Sequence, residues 1–472
     1  MQLSDVVVGG IATTVPFWPL LAFVGLGLVT LVHRTPRERT VAGCVLWSLS
    51  LSLIGSLVTA VFMLSHHQDV LMVDVGPWFS TGSYTFELSF LVDRLSVTMM
   101  VLSSAISLLI GRFSVNYLHR EAGFTRFFLL LALFATGMML LVEAGSIDLL
   151  FVGWELVGLT SALLIGFFHE RTTPVRAGLK AFTIYRLCDI GLLLAVVLLH
   201  HYAGSAEWVE ALGEWAWPGP AVVMGVGPAT VLGLCLVLAA MGKSAQLPFS
   251  SWLPRAMEGP TPSSALFYGA LSVHAGLYLL LRAEPLLQRA PLASGVLVAV
   301  GLLTALHATL VWRVQTDVKS ALAYAVLTQV GLMFAEVGMG WYRLALVHLV
   351  AHACLRCLQL LRAPSALREV QARHAASQGV KQPTVAVGHH VLPESLRQRF
   401  YRLALERFAL DVLHEQWALR PLLWIGAWVD KAERVWVGVV SGWTPRSAES
   451  KPLESGHGAA TEPSGGKSTG AV

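Results

Sequence analysis

Apolar residues dominate this chain in long unbroken runs, and polar residues gather in the short stretches between them. Eleven runs are long enough to cross a lipid bilayer as helices, near 15–33, 41–64, 90–111, 126–143, 147–168, 178–200, 229–247, 262–281, 293–312, 320–339 and 343–361. A spanning helix needs ~20 mostly apolar residues, because hydrocarbon offers backbone N–H and C=O groups no other partner. No basic residue precedes the first run and no small-residue cleavage site follows it, so it reads as a structural span and not as a signal peptide. Past residue 362 the pattern changes. Residues 363–397 are polar and basic and read as a cytoplasmic linker. Two amphipathic stretches follow, around Tyr401–Glu415 and Leu419–Val440, the second mixing Trp424, Trp428 and Trp436 with Asp430, Lys431, Glu433 and Arg434. The second suits a membrane surface or a partner groove, or a helical hairpin packed on the protein's own loops. Residues 444–472 are rich in Ser, Gly, Pro and Glu, a composition that favours disorder.

Composition agrees with the pattern. Of 472 residues 55% are apolar and 13% are Asp, Glu, Lys or Arg, and the mean hydropathy is +0.64. That charged share is half of the ~25% usual in soluble domains. Five scattered cysteines do not make a disulfide scaffold, and a net charge of +4 is no nucleic-acid footprint. The fold class is therefore an all-α polytopic membrane protein with about eleven transmembrane helices. Alternate loops carry twelve Lys and Arg residues against three, Arg282, Arg289 and Arg343, in the intervening loops. The positive-inside rule then places the N-terminus outside and, after eleven spans, the C-terminus in the cytoplasm. The loops at 65–89 and 201–228, with acids and several Trp residues, fit an outer face.

Ionisable groups inside spans cost several kcal/mol, on the order of 3, unless paired or hydrated, which makes each a functional candidate. Glu155 lies within the fifth run with no cation within four residues, so its partner must come from another span. Arg186 and Asp189 share a face of the sixth run. They read either as a functional pair or as a mutual ion pair that pins two helices. Lys243 ends an apolar run and precedes Gln246-Leu247-Pro248, where proline interrupts the helix. A lysine beside a broken membrane helix is a means of building an ion site at mid-depth. Desolvation disfavours its ammonium form and a nearby carboxylate favours it, so it can load and release a proton as neighbouring charges move. The alternative is snorkelling to an interface. His274, His307, His348 and His352 also fall within spans, and His348, His352 and Arg356 form a stripe at four-residue spacing. A hydrated proton relay and a two-histidine metal site are both compatible with that spacing, though no third ligand is evident for a metal. His307 alone also reads as a core histidine. Cys354 and Cys357 form one Cys-x-x-Cys within a membrane run, with no second pair. No phosphate loop, dinucleotide fingerprint or iron–sulfur cysteine ladder is present in the sequence, so it offers no cofactor site.

These residues sit in recognisable strings. Phe113-Ser114-Val115-Asn116-Tyr117-Leu118-His119, Gly153-Trp154-Glu155-Leu156-Val157-Gly158-Leu159, Lys180-Ala181-Phe182 and Arg186-Leu187-Cys188-Asp189 lie in the first half. Lys243-Ser244-Ala245-Gln246-Leu247-Pro248, Gly259-Pro260-Thr261-Pro262-Ser263-Ser264-Ala265-Leu266, Gln315-Thr316-Asp317-Val318-Lys319 and Leu322-Ala323-Tyr324 complete the order. Over about residues 85–360 the chain resembles the antiporter-like membrane subunits of respiratory complex I (the NuoL type) and of Mrp cation/proton antiporters. The resemblance implies an antiporter-like inverted-repeat bundle with a broken helix near Lys243, and proton movement along a polar axis at mid-depth. By position, Glu155 and Lys243 resemble the coupled acid–lysine pair, Arg186 and Asp189 the pair that modulates it, and Lys319 the lysine opening the second repeat. Three departures stand out. Tyr268 occupies a position where the family has histidine, with His274 later. Arg356 replaces a lysine and cannot release its proton. The second broken helix and the long lateral helix have no counterpart, so the second repeat looks truncated.

Pattern and resemblance together divide the chain into four regions: N-terminal helices and an outer loop over 1–84, a proton-conducting core over 85–362, a cytoplasmic linker with amphipathic helices over 363–443, and a tail over 444–472. The resemblance also implies a bacterial inner membrane. Two functional classes follow. One is the DabB-type energy-coupling subunit of a two-component inorganic carbon uptake system, partnered by a cytoplasmic DabA-like zinc protein. The other is a proton-pumping membrane subunit of an NADH:quinone oxidoreductase or related complex, among other respiratory-complex subunits.

Overall fold

A computed structural model describes residues 3–32, 36–82, 84–213, 217–363 and 394–441. The chain forms two compact units, residues 1–419 and residues 420–472. Most of the expected linker (364–393) and the whole tail after 443 lie outside the described residues.

In the first unit, eleven helices among the described residues are long and apolar enough to span a membrane, matching the eleven runs one for one. The first span is broken. Helices α1 (Leu3–Thr14) and α2 (Phe17–Leu31) meet at Val15-Pro16, where proline cannot supply a helix donor. The Val15 carbonyl at the break accepts from Ser52 Oγ on α3 (Glu38–Ser65) at 2.8 Å, a partner that hydrocarbon would not supply.

The loop expected over 65–89 is largely a β-hairpin. Strands β1 (Val70–Thr81) and β2 (Tyr84–Asp93) pair antiparallel, with irregularities between Asp74 and Gly76 and between Pro77 and Phe79. Tyr84, Phe86, Leu88 and Phe90 alternate with Thr85, Glu87 and Ser89, the period of a half-buried strand. The third span accordingly begins at Arg94 and not at 90. Asp93 ends β2 and caps α4 (Arg94–Tyr117), accepting from the Ser96 amide at 2.8 Å.

The bundle continues through α5 (Phe124–Glu143), α6 (Ile147–Ile165), α7 (Thr172–Ala203), the short α8 (Trp208–Leu212) and α9 (Val226–Lys243). After α9 the chain unwinds through a 3₁₀ turn, α10 (Trp252–Arg255) and a second 3₁₀ turn before α11 (Thr261–Ser264). Here Ala245 adopts a positive φ of 53°. Side chains satisfy the freed backbone. Trp252 Nε1 donates to the Gly242 carbonyl at 3.0 Å, Gln246 Nε2 to the Ser244 carbonyl at 2.8 Å, and Thr304 Oγ1 accepts from the Leu247 amide at 3.0 Å.

The eighth span is wholly buried within the protein. It is irregular: α11 runs into a π-helical turn over Ala265–Ala270, a kink at Leu271, then α12 (Ser272–Arg282). The sequence reads as one plain apolar run there and gives no sign of the π turn. Next come α13 (Glu284–Arg289), α14 (Pro291–Trp312), α15 (Val318–Gly338) and α16 (Tyr342–Arg362). Helices α14 and α15 approach backbone to backbone: a Cβ on Gly301 would lie 2.4 Å from the Gly331 carbonyl oxygen, and only glycines admit that packing.

The first amphipathic stretch belongs to this unit. It holds α17 (Glu394–Leu405) and α18 (Leu410–His414), and folds back onto the bundle. The second unit's described part is α19 (Arg420–Ser441), which leaves Trp424, Trp428 and Trp436 exposed and carries an Arg434–Asp430 ion pair one turn apart.

Candidate functional site

The two spans of greatest sequence interest cross where α9 stops. Glu155 lies midway along α6 and Arg186 midway along α7, and they form an ion pair. Arg186 Nη2 also reaches Asp189 Oδ2 at 2.8 Å, so one guanidinium bridges two carboxylates from two helices. Trp154 Nε1 donates to the other Asp189 oxygen at 2.5 Å. The partner that Glu155 required from another span is thus Arg186, and not the lysine.

Lys243 is held differently. Its Nζ donates to the Trp154 carbonyl at 3.0 Å and stands 4.7 Å from the Trp154 ring centroid and 4.8 Å from that of Tyr185. It is 1% exposed, which excludes snorkelling. Its near neighbours are a carbonyl dipole and two π faces, which hold a cation without a counter-charge. Space for the ammonium comes from Gly158, one turn beyond Trp154. A Cβ there would lie 2.9 Å from Nζ and 3.3 Å from Arg186 Nη2. The cluster therefore combines a fixed guanidinium pinned by two carboxylates with a lysine free of direct carboxylate contact. A shift of Arg186 off either acid changes the field at Lys243 over a few ångströms of low-dielectric interior, where charge interactions are strong.

A second group lies across α12, α15 and α16. His274 Nδ1 faces the Ala270 carbonyl at 2.8 Å, and His274 Nε2 faces His352 Nδ1 at 3.0 Å. Arg356 Nε donates to His352 Nε2 at 3.3 Å. The tautomers follow. His352 accepts at Nε2 and donates from Nδ1 to His274, which donates from Nδ1 to the carbonyl. An added proton would turn His352 Nε2–H against the Arg356 N–H, donor against donor, so Arg356 locks both rings neutral. His348 stands apart from that lock: Nδ1 faces Glu336 Oε1 at 2.9 Å and Nε2 faces Gln329 Oε1 at 3.0 Å.

The remaining sequence candidates lie elsewhere. His307 is buried on α14 against the rings of Tyr324 and Phe408. Lys319 sits half-buried in the first turn of α15, and among the described residues no hydrogen bond or ion pair ties it to either cluster.

Sequence reasoning missed several charges. Glu336 satisfies the same rule that singled out Glu155, an acid in an apolar run. Glu143 is fully buried at the end of α5. Arg282, assigned to a loop when charges were counted, is 1% exposed and donates to both oxygens of Asp93, at 2.6 and 3.0 Å, tying the eighth span to the third. Removing it from the loop count leaves twelve basic residues against two. At the opposite end of α7, Asp411 on α18 accepts from Lys180 at 2.6 Å, Arg255 at 3.1 Å and Arg407 at 3.3 Å. Burial alone raises the Asp411 carboxyl, but these cations, Lys180 foremost, outweigh it and hold the group below the usual carboxylate range. His414 bonds Ser251 Oγ at 2.6 Å, and burial, with Lys180 nearby, lowers its ring to about 4.

Residues 144–380, which contain both clusters, match the family described as "NADH:quinone oxidoreductase/Mrp antiporter, TM". The chain belongs to this family. Residues 78–128 match a second description, "NADH-Ubiquinone oxidoreductase (complex I), chain 5 N-terminus". Among family relatives, NADH-quinone oxidoreductase subunit L of Neisseria meningitidis serogroup A is 37% identical over 301 residues, 62% of this chain and 45% of that protein. The chloroplastic NAD(P)H-quinone oxidoreductase subunit 5 of Nephroselmis olivacea is 35% identical over 366 residues, 76% of this chain and 55% of that one. The chain spans about half the length of the curated relatives it matches. Among solved structures, the Mrp complex from Dietzia sp. DQ12-45-1b aligns with a TM-score of 0.59 at 26% identity, over 76% of this chain and 36% of that one. The archaeal membrane-bound sulfane sulfur reductase shares the fold, with a TM-score of 0.62 at 18% identity over 74% and 70%. The family resemblance read from the motifs holds.

Proposed function

We propose that this protein translocates protons across a membrane as one subunit of a larger assembly. One observation carries the reading. Lys243 ends a broken helix, buried among neutral partners, beside an arginine clamped by Glu155 and Asp189. A structural ion pair has no use for an extra desolvated lysine 3.0 Å from a carbonyl, whereas a proton carrier needs a cation whose surroundings change when its neighbours re-pair. In this reading Glu155 and Lys243 exchange the proton, and Arg186 and Asp189 set the field. His348 and Lys319 extend the route in the second half of the bundle, and His274, His352 and His307 border it.

The assembly is assigned on a second observation. The segment from Glu394 to Leu419 returns to the bundle and fixes Asp411 to Lys180, which lies six residues before Arg186 on α7. A partner gripping this segment has a direct mechanical route to the central cluster. We assign that partner as a DabA-like zinc protein and the pair as an inorganic carbon uptake system, in a bacterial inner membrane with the N-terminus outside. The names of the family relatives favour a second reading, a proton-pumping subunit of an NADH:quinone oxidoreductase. Purification of the complex in gentle detergent with mass spectrometry of co-eluting chains separates the two. One stoichiometric zinc protein supports carbon uptake. A set of flavin and iron–sulfur subunits overturns it in favour of the oxidoreductase.

A further inference from the structure

Resting on the proton-translocation reading, we propose that Glu336 is a proton-exchanging residue which, with His348, forms the terminus of the route at the hairpin end of the bundle. Four features of the structure converge on this pair.

First, Glu336 lies two residues before the end of α15, in an apolar span, with its carboxyl on His348 of α16 at 2.9 Å. It is an acid in a membrane helix whose one ring partner is itself titratable.

Second, the pair has a spare tautomer. With Gln329 Oε1 accepting from His348 Nε2–H at 3.0 Å, Nδ1 and Glu336 Oε1 share a single proton. Neutral ring with carboxylic acid and imidazolium with carboxylate contain the same atoms, so the proton crosses 2.9 Å with no change in net charge. Release then takes the shared proton from Glu336 to water and leaves a carboxylate beside a neutral ring, and the next proton arriving along the route restores the shared state.

Third, the neighbouring His274–His352 pair cannot do this. Arg356 and the Ala270 carbonyl fix its donors at both ends, and an added proton sets two N–H groups against each other. The two histidine rings on α16 meet edge to face with centroids 6.4 Å apart. The lock therefore directs exchange to the side of His348 that bears Glu336.

Fourth, the end of α15 that carries Glu336 adjoins open space through its neighbours. The Glu336 carbonyl accepts from the Trp341 amide at 2.9 Å. Trp341 and Gly340 line a cavity of about 520 Å³ together with Glu284 and Gln288. Glu284 is 2% exposed and sits just past the eighth span, where burial pushes its carboxyl up to about 7, so the cavity wall carries a second acid suited to exchange protons near neutrality.

The test uses the full chain in its isolated complex, reconstituted in liposomes, with proton uptake driven by an imposed membrane potential. Assembly is checked by size-exclusion chromatography. Glu336→Gln is expected to lower uptake by about a hundredfold, the low end of what loss of a positioned proton-transfer group costs, while Glu336→Asp retains most of it. Infrared difference spectra across a pH step should lose one protonated-carboxyl band in Glu336→Gln. Wild-type uptake and an unchanged spectrum in that variant would overturn the proposal, and if Lys243→Ala still abolishes uptake the translocation reading stands without it. Equal loss in the Gln and Asp variants with no spectral change would mark a structural role and also overturn it. No uptake by the wild-type complex above empty liposomes would remove the reading and the proposal together.

Discussion

Gly158→Ala separates the function of the central cluster from its stability. Its Cβ would lie 2.9 Å from Lys243 Nζ, closer than ordinary van der Waals contact. The ammonium must recede by about 0.5 Å or more to restore a normal separation. That movement stretches its 3.0 Å bond to the Trp154 carbonyl to about 3.5 Å, the limit of a hydrogen bond. A hydrogen bond to a charged group contributes about 1.5–3 kcal/mol, and ~1.4 kcal/mol is a factor of ten. Proton loading of Lys243 should therefore fall by about ten- to a hundredfold, and potential-driven uptake with it. Stability should change less, because the helical preference of alanine offsets part of that loss. The atoms nearest the new methyl group are the ends of flexible side chains and not backbone, and alanine is preferred to glycine within a helix by about 0.5–1 kcal/mol. The assay pairs proton uptake in proteoliposomes with thermal unfolding of the same preparation. Wild-type uptake in a stable Gly158→Ala protein would refute the placement of the lysine. Loss of both assembly and uptake would refute the argument that the lysine can yield to the methyl.

Other outcomes follow from the same structure. Glu155→Gln keeps the shape but frees Arg186 from one carboxylate, so uptake should fall strongly while assembly stays intact; a pH–rate profile identical to wild type would count against the coupling. Arg282→Met strands Asp93, itself 1% exposed, and should destabilise the protein by about 3–5 kcal/mol, read as poor accumulation in membranes. Docking of the segment around α18 should weaken in acid. His414 titrates at about 4 when docked, below the ordinary histidine value, so the free segment takes up protons first as pH falls from about 6.5. Asp411 adds the same sign at lower pH, because its contribution is present above the ordinary carboxylate value and is lost as pH falls through its lowered one. Limited proteolysis of residues 394–419 at pH 7 and pH 5 should show faster cleavage at pH 5, and Asp411→Asn should be cleaved quickly at both.

Eleven spans, the break after Lys243 and the position of Glu155 were legible because bilayer crossing imposes a strong apolar pattern and an intramembrane charge stands out against it. The pairing was not. Nothing in the spacing says that Arg186 takes Glu155 while Lys243 turns to a carbonyl, since that choice depends on how α6 and α7 are rotated against each other. The hairpin was hidden because Phe90–Asp93, part of β2, run without interruption into the third span, although Tyr84–Phe90 alternate in period two. Arg282 was misplaced because a position at the end of an apolar run looks the same whether it faces water or Asp93. Glu336 was present in the sequence on the same terms as Glu155 and could have been found by applying the rule to every acid.

The central claim is that Lys243 carries the translocated proton. Potential-driven proton uptake by liposomes bearing the Lys243→Ala complex, at matched protein content, tests it most directly. Uptake should fall to the level of empty liposomes while the subunit remains assembled. Uptake at the wild-type rate would contradict it.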